Sequence, residues 1–279
     1  MTQPTTFRTR MLRSFAGVYA SLPLKGIERP IFILGCGRSG TTILGEALAH
    51  HPRVTYLNEP RRLWYACYPQ TDIWTDLARE RGGKVMLTAA DAEPARSGRL
   101  RRRFYFETVK TGRPVLIEKL PINSFRLPFI HAIFPDARYV HIGRNGVEVA
   151  RSVEKMGPRW WGADGYKWKQ LTDVAAARPD TAQLPAICQT DYDRGLLEWR
   201  LSTVAVREFL STLPKATYVE LTYDDFTERP LQTIAEILSF LALPSSEQVN
   251  RFVAENVSRR SGKAALDNLS GHELRIGGE

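Results

Sequence analysis

The sequence predicts an α/β domain: a P-loop-like parallel sheet flanked by helices on both faces, with helical insertions. Three observations predict it. Continuous apolar runs alternate with segments of helical period, the pattern of strands buried on both sides. The first such run, "PIFILG" (30–35), passes through the glycine turn "CGRSGTT" into the helical pattern "TILGEALAHH" (42–51). With 279 residues, 43% hydrophobic and 25% charged, the chain can bury a sizeable core without disulfides or metals.

Taken in order, "PIFILG" reads as a buried strand, and "TILGEALAHH" as a helix stopped by Pro52. "VTYLN" (54–58) is a short strand. Residues 72–110 are arginine-rich and read as mainly helical, with a loop near "EPARSG". "VLIEK" (115–119) is a strand, "FRLPFIHAIFP" (125–135) a helix ending before Pro135, and "ARYVHIG" (137–143) a strand. "NGVEVARSVEKM" (145–156) is a helix. Residues 157–189 carry Trp160, Trp161 and Trp168 among Gly and Pro and read as an inserted lobe or lid. A long helix at about 190–213, the strand "ATYVEL" (216–221), and helices at about 230–241 and 245–255 precede a polar tail. One domain over 1–279 is expected, with 1–28 as an N-terminal helical extension. There Phe7, Met11, Leu12, Phe15, Val18, Tyr19 and Leu22 recur at helical spacing between arginines. Such a face suits packing on the domain; peripheral membrane contact is the alternative.

The net charge of +9 favours an anionic partner. The basic residues are scattered apart from "RLRRR" (99–103), and no nucleic-acid fold signature is present, so no nucleic acid is expected. Cys36, Cys67 and Cys188 form no CxxC pair, which argues against zinc or a disulfide framework and for a reducing, cytoplasmic setting. No apolar run reaches the length of a membrane span. The sequence sets no oligomeric state.

The glycine turn carries the chemistry. Gly35, Gly37 and Gly40 allow a tight turn whose N–H groups converge, and the following helix adds its own free N–H groups and dipole. Arg38 supplies a permanent forked charge. Thr41 and Thr42 supply hydroxyls or a cap. An ATP loop needs Lys after its last glycine and a Ser/Thr on Mg²⁺. This chain has Thr41 there, and its later strands lack the strand-end Asp that would hold the metal. The loop therefore suits a nucleotide phosphate handled without a metal.

At this point "GCGRSGTTILGEALAHHP" resembles the 5′-phosphosulfate loop of sulfotransferases that use 3′-phosphoadenosine 5′-phosphosulfate (PAPS). "HIGRNGVEVARS" resembles that family's 3′-phosphate motif, with Arg144 and Ser152 at its Arg and Ser. "TYVELTYDDFTERPLQTIAEILSFLAL" resembles its C-terminal signature. The resemblance runs over about residues 30 to 245 and implies the sulfotransferase fold, PAPS as co-substrate, and no metal. It implies one cradle of Arg38, Ser39, Gly40, Thr41 and Thr42, and a second of Arg144 with Ser152. Helical rise alone sets those last two about 12 Å apart, so Arg144 must reach across to share a phosphate.

Glu59 closes the strand in "YLNEP", where carbohydrate and tyrosyl-protein sulfotransferases carry a glutamate that acts as general base; "LNEP" leans towards the carbohydrate 6-O type. A salt bridge to Arg61, Arg62 or Arg38 is the competing reading. Lys119, ending "VLIEK", matches a lysine near the transferring group, against the reading of an exposed strand-end lysine. Arg38 is a candidate for the same role. Tyr223 matches a tyrosine near the nucleotide. Lys263 or Arg259–Arg260 is a candidate cover for the 3′-phosphate. The family's small-molecule branch uses a His in a Lys-x-His stretch, absent here; His50 and His51 read as structural helix-end residues. Trp160, Trp161, Tyr166 and Trp168 either line an acceptor cleft or form a local core. Asp224–Asp225 reads as a turn or helix start. The acceptor is expected to be a hydroxyl of a glycan or glycolipid. The alternatives are a phenolic metabolite or peptide tyrosine, then a kinase-like nucleotide transferase or a non-catalytic polyanion binder.

Overall fold

In the computed structural model, which describes residues 25–257 and 270–278, five parallel strands form one sheet in the order β2-β3-β1-β4-β5. They are β1 (Ile31–Leu34), β2 (Val54–Asn58), β3 (Val115–Lys119), β4 (Arg138–Gly143) and β5 (Tyr218–Thr222). The central strand β1 is buried on both sides. Phe32 and Leu34 meet Trp64, Phe104, Phe134 and Tyr139 on one face; Ile31 and Ile33 meet Leu44, Ile117, Val140 and Ile234 on the other. That two-sided burial is why β1 reads as an unbroken apolar run.

Helices cover both faces. α1 (Thr41–Ala49), α9 (Pro230–Phe240) and α10 (Glu247–Asn256) lie on the Ile33 face. α3 (Pro94–Thr111), α4 (Leu127–Ile133) and α7 (Asp191–Leu210) lie on the Phe32 face. α2 (Arg61–Tyr65), α5 (Gly146–Glu154), α6 (Tyr166–Ala176), α8 (Tyr223–Glu228) and α11 (Gly271–Gly277) complete the chain order. No helix among the described residues is long and apolar enough to cross a membrane.

Strand alternation decides what the end of β3 presents. Glu118 turns into the Phe32 core, where its Oε1 accepts from Trp64 Nε1 at 2.8 Å and Asn123 Nδ2 at 3.1 Å. Lys119 turns to the opposite face, towards α1. Burial pushes the Glu118 carboxyl up to about 8, against the pull of those hydrogen bonds and of Lys119. Oε2 has no partner among the described residues and is left to carry the proton. An unfolded glutamate titrates near 4.3, so Glu118 contributes fully below that value, and the contribution is lost as pH climbs to about 8. Glu118→Gln keeps the acceptor oxygen and removes the titration. Melting curves between about pH 5 and pH 9 should show the variant gaining on wild type as pH rises; a gap that does not change with pH counts against the assignment.

Four expectations need correction. "EPARSG" is not a loop: Pro94 opens α3, a position where its missing N–H costs nothing. Residues 72–88 are mainly irregular rather than helical, because the buried Arg126 guanidinium takes the carbonyls of Thr71, Lys84 and Val85 at 2.9, 2.6 and 3.1 Å. The helix expected over 125–135 begins only after Arg126, behind a 3₁₀ turn at Pro121–Phe125. The polar tail contains α11, opened by a Ser270–Glu273 capping box and anchored by the buried Ile276. The N-terminal apolar face before Lys25, and Arg259, Arg260 and Lys263, lie outside the described residues.

Candidate active site

The glycine turn follows β1 at the C-terminal edge of the sheet, where ligands of such sheets bind. Gly35 has φ +147°, and a Cβ there would sit 2.5 Å from the Ile142 carbonyl oxygen. Gly40 has φ +92° and caps α1 without a side-chain bond, so the first N–H groups of α1 have no side-chain cap. Gly37 is different. Its φ is not positive; instead a Cβ would collide with the Trp160 ring at 2.6 Å. The turn places Arg38 in the left-handed region, φ +73°, a strained conformation for a residue with a side chain.

A cavity of about 300 Å³ opens over this turn, lined by Arg38, Gly40, Thr41, Thr42, Arg144, Ser152 and Tyr223. Arg38 Nε donates to Ser152 Oγ at 2.9 Å. Arg144 donates from its NH1 group to the Arg38 carbonyl at 3.1 Å and from Nε to Glu148 at 2.8 Å, with its guanidinium 4.2 Å from the centre of the Tyr223 ring. Arg144 and Ser152 thus reach one cavity, with Arg38 joining them. Asn145 caps α5 by accepting from Val147 and Glu148, which fixes the turn between Arg144 and its helix. Ser39 is buried under the turn, its N–H closing onto the Cys36 carbonyl, and lies outside the cavity lining.

Glu59 also has left-handed backbone, φ +47°, and its N–H extends the ladder to the Lys119 carbonyl. Its Oε1 accepts from Lys119 Nζ at 3.0 Å and its Oε2 from Arg61 at 2.6 Å. Lys119 also donates to Thr42 Oγ1 at 3.0 Å. At 1% exposure it is not the solvated strand-end lysine that the sequence left open. The Glu59–Arg61 salt bridge, the competing reading, is present. Burial pushes the Glu59 carboxyl up, but Lys119 and Arg61 outweigh it and hold the group below the usual glutamate range.

A second cavity, of about 310 Å³, holds Glu59, Arg61, Trp74 and Trp160, and Arg38 lines both cavities. The tryptophan-rich stretch therefore divides. Trp160 faces the second cavity, whereas Trp161 is buried against Trp168, ring centres 5.6 Å apart, and Tyr166 bonds the Gly83 carbonyl. His50 stacks on Phe252 and bonds Glu46, and His51 bonds the Pro244 carbonyl; neither lines either cavity. Among the described residues no cluster of side chains could hold a metal ion.

Sequence reasoning missed Glu148, Trp74, Lys167 and Glu198. Glu148 was legible, four residues after Arg144 and in the first turn of the helix that follows it. Trp74 lies in the irregular 72–88 segment, and the Lys167–Glu198 pair joins two helices, so neither has a local signal.

Comparison with known proteins gives a consistent picture. The sulfotransferase family is matched over residues 30–247. A protein of Aquifex aeolicus (strain VF5) is 26% identical over 244 residues, covering 80% of this chain. The nodulation protein NoeE of Sinorhizobium fredii (strain NBRC 101917 / NGR234) is 28% identical over 138 residues, covering 47%. The chain spans 26% and 31% of the length of these two relatives. Among solved structures, the sulfotransferase domain from the curacin biosynthetic pathway aligns with TM-score 0.55 and 16% identity, over 81% of this chain and 77% of that one. Sulfotransferase STF1 from Mycobacterium tuberculosis H37Rv aligns with TM-score 0.52 and 17% identity, over 88% and 76%. These two share the fold.

Proposed function

The chain belongs to the sulfotransferase family, and on that premise we propose that it transfers the sulfuryl group of PAPS to a hydroxyl of a carbohydrate or glycolipid. The observation that carries the proposal is the junction of the two cavities. Arg38 lines both, and Glu59 and Lys119 form an ion pair beside Thr42 where they approach. The N-terminus of α1 with Thr41 and Thr42 holds the 5′-phosphosulfate. Arg144 and Ser152 hold the 3′-phosphate, and Tyr223 packs beside the nucleotide. Glu59 takes the acceptor's proton as the new oxygen–sulfur bond forms and the bond to the bridging phosphate oxygen breaks. Lys119 and Arg38 meet the charge that develops on that oxygen, releasing 3′,5′-bisphosphoadenosine (PAP). The carbohydrate preference rests on the "LNEP" resemblance.

The test is to incubate the protein with PAPS and a panel of glycosides and phenols, following PAP and the sulfate ester by mass spectrometry. Equimolar PAP and sulfated glycoside are expected; release of PAP with no ester on any acceptor contradicts the proposal. A finer prediction concerns Arg144→Ala. Losing charge-assisted bonds to one phosphate should weaken PAP by roughly 10- to 100-fold and 5′-AMP much less. Equal losses in calorimetric titrations would remove Arg144 from the 3′-phosphate.

A further inference from the structure

Gly37 and Trp160 touch where the phosphate turn meets the second cavity. The backbone at Gly37 does not need a glycine, so the glycine answers to the indole. That indole is held through its edge and one face. Trp160 Nε1 donates to Glu198 at 2.8 Å, and Lys167 Nζ donates to the same carboxylate at 2.6 Å. Lys167 lies 4.3 Å from the centre of the Trp160 ring and 5.3 Å from that of Trp161. Lys167 and Glu198 are each only 4% exposed. A buried ion pair is costly to assemble, and both members of this one contact the Trp160 indole. The cavity's other tryptophan is arranged alike: the Arg61 guanidinium, paired with Glu59, lies 4.0 Å over Trp74. Leu120, Pro121, Ile122 and Met156 line the same space.

We infer that Trp160 is the platform on which a ring of the acceptor stacks, so that the site selects ring-bearing hydroxyl compounds over open-chain ones. The inference rests on the sulfuryl-transfer reading above. Lys167 and Glu198 hold the indole in place, and Trp160 lines the cavity beside them. A flat, rigidly held indole rewards a ring of matching shape. A flexible chain gains less contact and loses more freedom on binding. Contact with Gly37 sets the platform directly against the turn that holds the donor, so the bound ring is registered against the transferring group. Trp160 itself is a specificity-determining residue and touches no reacting atom.

The test is calorimetric titration of PAP-saturated protein with 4-nitrophenyl β-D-glucoside and with sorbitol, which carries hydroxyls without a ring. Wild type should bind the glucoside about tenfold more tightly than sorbitol. Trp160→Ala should remove that preference, and Trp160→Phe should keep most of it. Gly37→Ala, which drives a methyl into the indole, should lose more glucoside affinity than PAP affinity. Glucoside that fails to bind the saturated protein, a preference that survives Trp160→Ala, or equal losses of both ligands in Gly37→Ala would each overturn the inference. Wild type that fails to bind PAP shows in the first titration and overturns the sulfuryl-transfer reading instead.

Discussion

Glu59→Gln is expected to lower turnover by roughly 10²- to 10⁴-fold and to leave PAP affinity nearly intact. The amide has the shape of the carboxylate and keeps an oxygen for Lys119, but it cannot accept the acceptor's proton. Glu59 lines the cavity proposed for the acceptor and not the one proposed for the donor, which is why binding and transfer should separate. The pH profile carries a second signature. Lys119 and Arg61 hold the carboxyl below its usual range, so the base stays ionised at mildly acid pH. The acid limb of kcat/KM should therefore fall below the ordinary glutamate value of about 4.3. The same depression gives the fold stability that is present above that value and lost as pH drops through the lowered one. Steady-state kinetics with PAPS, alongside PAP calorimetry, decides it: a glutamine variant with normal turnover removes Glu59 as base.

Lys119→Met should cost roughly 10²- to 10³-fold in turnover, the scale of losing one preorganised group at a developing negative charge. Methionine fills much of the same space, so the loss reports the ammonium rather than a void. Lys119 is fully buried, donates to Thr42 beside the proposed donor cavity, and pairs with Glu59 beside the proposed acceptor cavity. Its removal also takes away the first attraction that offsets burial at Glu59. The acid limb of the rate profile should consequently move to higher pH in the variant. That shift separates this role from simple loss of fold, which would lower activity evenly at every pH. An unmoved limb with a loss of less than about tenfold would assign Lys119 to structure alone.

Much of the frame was legible because its signals are local. "VTYLN" and "VLIEK" coincide residue for residue with β2 and β3, since each is a short stretch of strand-favouring residues bounded by turn residues. The order strand, glycine turn, helix was legible at 30–51 for the same reason, and so were Arg38, Glu59, Lys119, Arg144 and Trp160 as residues worth placing. What the sequence hid is set by packing. Gly37 reads as a turn glycine but is constrained by an indole more than a hundred residues away. Glu198 and Lys167 read as ordinary helix charges until α6 meets α7 and buries both. The 72–88 segment has helical composition, yet Arg126 takes the carbonyls that a helix would have used. Ser39, adjacent to Arg38 in the motif, folds under the turn rather than onto the cavity.

The proposed site is a metal-free cradle for a nucleotide with both 5′ and 3′ anionic groups. Calorimetric titration with PAP and with ATP, each with and without Mg²⁺, tests it most directly. PAP binding is expected to be tight and indifferent to Mg²⁺, with ATP far weaker. ATP binding that depends on Mg²⁺ and exceeds that of PAP would contradict it.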